Sequence, residues 1–179
     1  MNSRARLALA AAILTALGLG TYAVAGERLS KLKADLVGYQ EVPAVSTTGF
    51  GTFEATLNRD RTQLTYKLSY GGLEGNVTQS HIHFGQRAVS AGIAAFLCSN
   101  LGNGPAGTQA CPASPATITG TLTAADVIGP AAQGITAGEW DELIAAIESG
   151  IAYANVHSTK WPGGEIRAQL NSKGDEHGD

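Results

Sequence analysis

Histidine is scarce in this 179-residue chain, and its placement is uneven. His81 and His83 stand in Ser80-His81-Ile82-His83-Phe84, His157 follows Asn155-Val156, and His177 lies close to the C-terminus. Residues two apart on an extended strand share a face, so the imidazoles of His81 and His83 point the same way from positions roughly 7 Å apart, with Ile82 opposite. Asn155 and His157 share a parity in the same manner, against Ala154 and Val156. If the two strands are neighbours, Ile82 and Val156 enter a core while three imidazoles meet at one point. Three neutral nitrogens suit copper or zinc and leave a position for water or substrate. Copper is preferred, because a thiolate-free nitrogen set binds it at the top of the divalent affinity order, with zinc the alternative. Histidines hydrogen-bonded to loop carbonyls are the structural competitor. The matching parity of two spots far apart in sequence favours the metal. Metal-bound imidazoles need acceptors for their remaining N–H groups, so Glu41, Asn155 and Glu165 are candidates to orient them, and Arg167 is a candidate partner for either glutamate.

Other chemistries find no residues. The chain has no nucleophile with a base and an orienting acid at a familiar spacing, no acid pair of glycosidase type and no phosphate-cradling glycine loop. Gly102-Asn103-Gly104 and Trp161-Pro162-Gly163-Gly164 read as turns. The formal net charge is −3, without the clustered Lys and Arg that nucleic-acid phosphates require. Asn76-Val77-Thr78 is a glycosylation sequon, meaningful in a source that glycosylates exported proteins.

Short segments of period-two alternation, separated by Gly, Pro, Asn and Ser, must carry these residues. Leu32, Ala34 and Leu36 alternate with lysines and Asp35; Phe53, Ala55 and Leu57 alternate with Thr52, Glu54 and Thr56; Leu64, Leu68 and two tyrosines alternate with Thr65, Lys67 and Ser69. The Asn58-Arg59-Asp60-Arg61 turn pairs the second and third as an antiparallel hairpin. Further strands are expected over 78–84, 93–98, 116–122, 151–157 and 164–170. One helix interrupts them: Thr136 and Glu139 form a capping-box pattern, Trp140, Leu143, Ile144 and Ile147 fall on one helical face, and Gly150 stops it. The fold class is all-β, an antiparallel β-sandwich or Greek-key barrel with one short crossover helix.

The N-terminus has the layout of a signal peptide over 1–25: Arg4 and Arg6, an apolar run from Leu7 to Leu19, and the small-x-small pattern Ala23-Val24-Ala25. That run is shorter than the ~20 residues a membrane-spanning helix needs, so the mature chain is expected to be free of the membrane. Secretion or a periplasmic location follows, with one domain over 26–170 and a disordered polar tail over 171–179. Cys98 and Cys111 flank a Gly- and Asn-rich loop, and an oxidising compartment favours a disulfide between them. A closed loop of this size is worth about 3 kcal/mol.

Four motifs carry a family resemblance. Gly38-Tyr39-Gln40-Glu41-Val42-Pro43, Ser80-His81-Ile82-His83-Phe84-Gly85, Tyr153-Ala154-Asn155-Val156-His157-Ser158 and 162–170 resemble, in order, the CHRD domain, the repeat unit of chordin that also occurs singly in bacterial exported proteins. The resemblance implies an immunoglobulin-like or superoxide-dismutase-like sandwich. It also implies a second functional class, a metal-free extracellular protein-binding or structural module as in chordin, beside a copper- or zinc-binding domain with a metal-handling or dismutase-like redox role. The histidines that a paired copper–zinc dismutase site would add are absent, as is a second proline at Ala44. His177 could add a fourth ligand only if the tail folded back.

Overall fold

The computed structural model describes residues 31–171. The expected leader and His177 lie outside the described residues, as does the expected tail beyond Asn171. Among the described residues eight strands form, β1 (Lys31–Val37), β2 (Phe50–Leu57), β3 (Leu64–Gly71), β4 (Val77–Phe84), β5 (Ile93–Ser99), β6 (Ala116–Leu122), β7 (Ala152–Ser158) and β8 (Ile166–Leu170), with one α-helix, α1 (Trp140–Glu148), before β7 and three single-turn 3-10 helices in the loops.

In β1 every second residue is buried, and Phe53, Ala55 and Leu57 of β2 and Leu64, Tyr66 and Leu68 of β3 continue that apolar face. The hairpin pairs Leu57 with Leu64, and the Asn58 side chain holds its turn by accepting the Thr62 and Gln63 N–H groups at 2.8 and 3.0 Å. All pairings are antiparallel, in the order β5-β4-β7-β8-β1-β2-β3-β6. The all-β, antiparallel expectation therefore holds. The hydrogen bonding does not divide the strands into the two sheets of a sandwich, because Val37 pairs with Arg167 and joins β1 to β8. That pair is the seam between two four-stranded halves. The far end of the sheet also turns back toward β5: Tyr66 Oη of β3, the strand beside edge strand β6, donates to the Leu97 carbonyl of β5 at 2.8 Å. The nearly closed sheet wraps one continuous apolar core.

The helix starts later than its pattern suggests. Thr136 N–H does donate to the Glu139 carboxylate at 2.6 Å, but the N-cap is Glu139. Gly138, with φ 86°, breaks the helical path between them, so the turn that Thr136 closes stands ahead of the helix. Leu143, Ile144 and Ile147 are buried as the periodicity requires. Trp140 Nε1–H donates to the Arg61 carbonyl and Arg61 pairs with Glu148 at 2.9 Å, tying the helix to the β2–β3 turn.

β7 and β8 differ from the others in being buried along both faces. Their apolar side meets the core, and their polar side is roofed by loops 38–49, 85–92 and 159–165.

Candidate metal centre

β4 and β7 are hydrogen-bonded neighbours with Gln79 opposite His157, His81 opposite Asn155 and His83 opposite Tyr153. Ile82 and Val156 are fully buried in the core, so strand parity sends His81, His83, Asn155 and His157 together to the other side. The β4–β5 register shifts twice, between Ser80 and His81 and between Ile82 and His83. Such bulges turn side chains that a regular ladder would hold parallel. Ser80 Oγ–H donates to the Asn155 carbonyl at 2.6 Å, which fastens the two strands beside the cluster.

The three imidazoles each offer a nitrogen within 4.8 Å of the others, and all three side chains are buried. His83 Nδ1 lies 2.9 Å from the Ala91 carbonyl and His157 Nδ1 lies 2.9 Å from the Pro162 carbonyl. A carbonyl accepts only, so both rings carry their proton on Nδ1 and direct an Nε2 lone pair inward. His81 Nδ1 lies 3.2 Å from His157 Nε2, and His81 Nε2 has no hydrogen-bond partner. The Phe96 ring meets His81 edge-on at 4.5 Å, and Tyr153 stacks on His83 at 4.6 Å.

Burial sets the charge state. It pushes His81 down to about 2, helped by His157 and His83, and His83 down to about 4, against the opposing hydrogen bond to Ala91. His157 is lowered by burial, with the Pro162 carbonyl acting the other way. The imidazoles are therefore neutral at pH 7, the form in which nitrogen can bind a metal.

The orienting acceptors differ from those anticipated in sequence. Loop carbonyls of Ala91 and Pro162 hold the rings, whereas Glu165 accepts from Thr47 Oγ1 and the Glu74 N–H, both at 2.7 Å, and so ties loops together. Glu41 is nevertheless close. Its carboxyl is raised to about 7 by burial and drawn back by Arg167, the Val42 backbone and the Asn155 side chain. Gly164 makes room for it, since a Cβ there would strike the Glu41 carboxylate. Arg167 donates to the carbonyls of Val89 at 2.9 Å and Gln86 at 3.0 Å, and its guanidinium lies 3.4 Å over the Tyr153 ring. It thus holds loop 85–92, which supplies the Ala91 carbonyl. That carbonyl, the Pro162 carbonyl and Tyr153 were missed in sequence because backbone acceptors leave no residue-type signal.

A family model for the CHRD domain matches residues 32–170. The chain belongs to the CHRD domain family. That match covers β1 from Leu32, every later strand and all three clustered histidines. No curated protein and no solved structure matches the chain. Within this CHRD domain, Cys98 and Cys111 form the expected disulfide, with α-carbons 5.1 Å apart. A cavity of about 230 Å³ is lined by Tyr39, Glu41, Arg87 and Arg167.

Proposed function

We propose that this CHRD domain binds one metal ion, copper or zinc, through His81, His83 and His157, and serves metal handling outside the cytoplasm. One observation carries the reading: three buried imidazoles, held neutral, bring nitrogens within 4.8 Å of one another, and two of them have their protons committed to carbonyls behind the rings. Lone pairs converging in a buried space repel one another unless a cation or a donor lies between them. The signal-peptide pattern of the sequence supports an exported location, where thiol ligands oxidise and imidazoles take their place. The disulfide suits the same setting.

The test is metal titration of the purified protein after treatment with a chelator. Copper and zinc are compared by calorimetry against His81→Ala, His83→Ala and His157→Ala, with circular dichroism to check folding. The expected outcome is one equivalent bound by the wild type and a loss of at least about tenfold in affinity for each variant, as removal of a ligand implies. Equal uptake by folded variants would leave the histidines as a structural network and favour the metal-free binding module.

A further inference from the structure

Both Nε2 atoms that lack protons meet the same third group. Asn155 Oδ1 lies 3.1 Å from His83 Nε2 and 3.0 Å from His157 Nε2. An amide oxygen carries lone pairs only, so these three atoms form no hydrogen bond with one another. Glu41 lies on the other side of Asn155, and the Asn155 side chain favours its charged form, the effect of an amide N–H turned toward the carboxyl with the oxygen left facing the histidines.

The distances have a further meaning. Four donors placed tetrahedrally at the ~2.0–2.1 Å of zinc–nitrogen and zinc–oxygen bonds are separated from one another by about 3.3 Å. The separations of His81 Nδ1 from His157 Nε2 (3.2 Å), His83 Nε2 from Asn155 Oδ1 (3.1 Å) and His157 Nε2 from Asn155 Oδ1 (3.0 Å) fall close to that edge length. The remaining histidine nitrogens lie within 4.8 Å, a gap that small ring rotations close.

We propose that Asn155 Oδ1 is the fourth ligand of a closed tetrahedral centre made with His81, His83 and His157, a set that selects zinc over the tetragonal geometry of divalent copper. This inference rests on the metal-binding reading above and sharpens it. A catalytic ion needs an exchangeable position, whereas three nitrogens and one amide oxygen fill all four. The ion is accordingly cargo or a structural element. Glu41, whose charged form the Asn155 amide favours, acts as a positioning residue that keeps the oxygen turned inward.

The experiment titrates zinc, against a competing chelator, and cobalt, whose visible absorption reports coordination number, into the wild type, Asn155→Ala and Asn155→Asp. Asn155→Ala is expected to bind zinc at least tenfold more weakly and to change the cobalt spectrum. Asn155→Asp, which restores an oxygen donor, is expected to keep affinity within tenfold of the wild type. If Asn155→Ala binds zinc within twofold of the wild type with the same cobalt spectrum, the fourth-ligand proposal is overturned while the three-histidine site stands. If the wild type takes up neither metal, both fall together. A nuclear magnetic resonance measurement on the wild type covers the case in which Asn155→Ala does not fold. The side-chain amide nitrogen signal of Asn155, identified by its absence from Asn155→Asp, is expected to move when one equivalent of zinc is added, and an unmoved signal overturns the proposal.

Discussion

The charge state of the site is decided residue by residue, through which groups lose water. His81, His83 and His157 are all pushed down by burial, so the folded chain holds them neutral at pH values where the unfolded chain protonates them, beginning near the ordinary 6.5. Their contribution to stability is full above 6.5 and is lost as pH falls toward the folded values, about 4 for His83 and about 2 for His81. Glu41 works in the opposite sense, because its raised value of about 7 lets the folded chain hold a proton that the unfolded chain releases above its ordinary 4.5. Its contribution is full below 4.5 and is lost as pH rises through 7. Arg167 opposes the protonation of Glu41. Between about pH 5 and 6 His81 and His83 alone outweigh one carboxyl, and the lowered His157 acts in the same direction, so unfolding takes up protons, each worth roughly 1.4 kcal/mol per pH unit. The metal-stripped protein is thus expected to lose urea resistance from pH 7 to pH 5, with a shallower loss in His83→Gln. A flat profile would show that the imidazoles are not held neutral by the fold.

Among the elements, the loop between β5 and β6 has the clearest mechanical role. Its Gln109 Nε2 donates to the Leu97 carbonyl of β5 and the Thr119 carbonyl of β6, each at 3.1 Å, and to Tyr66 Oη of β3 at 2.8 Å. The two strands at the ends of the sheet are therefore bridged by a side chain that the Cys98–Cys111 bond keeps in place. Asn100 strengthens the same loop by donating to the Val77 and Cys111 carbonyls at 2.9 and 2.8 Å. The double replacement Cys98→Ala with Cys111→Ala is expected to lower unfolding stability by about 3 kcal/mol, with further loss from the gaps in the core. Gln109→Ala, which deprives carbonyl acceptors of a donor, is expected to cost about 1–3 kcal/mol. Both are read from urea denaturation, and an unchanged midpoint in the cysteine variant would show that the loop does not brace the sheet.

At the scale of the whole molecule, the proposed site couples ion binding to the fold, because its candidate ligands come from β4 and β7, whose histidines lie more than 70 residues apart in sequence. An unfolded chain does not bring these groups together, so ion binding stabilises the folded state by mass action. At a free zinc concentration 100 times the dissociation constant the gain is expected to be about 2.7 kcal/mol. Calorimetry should record a melting temperature that rises with zinc and returns when a chelator is added, with no rise in His157→Ala. A rise of the same size in that variant would place the ion elsewhere.

The strands, the β2–β3 hairpin, the disulfide and the shared parity of His81 with His83 and of Asn155 with His157 were legible in the sequence, because each depends on local periodicity or on two residues flanking one loop. The helix was legible too, apart from its first turn, which the left-handed Gly138 displaced. Tertiary structure alone decided that β4 lies beside β7 and that loops cover their polar faces. It also decided which acceptors orient the rings. Glutamates stand out in a sequence and backbone carbonyls do not, yet Ala91 and Pro162 hold the histidines while Glu165 ties loops and Glu41 reaches Asn155. The physical reason is that alternation along a strand specifies which way a side chain points, whereas strand neighbours and burial of a polar face depend on chain segments that meet only when the sheet closes, and the approach of a nearby carbonyl depends on a loop conformation that residue types do not spell out.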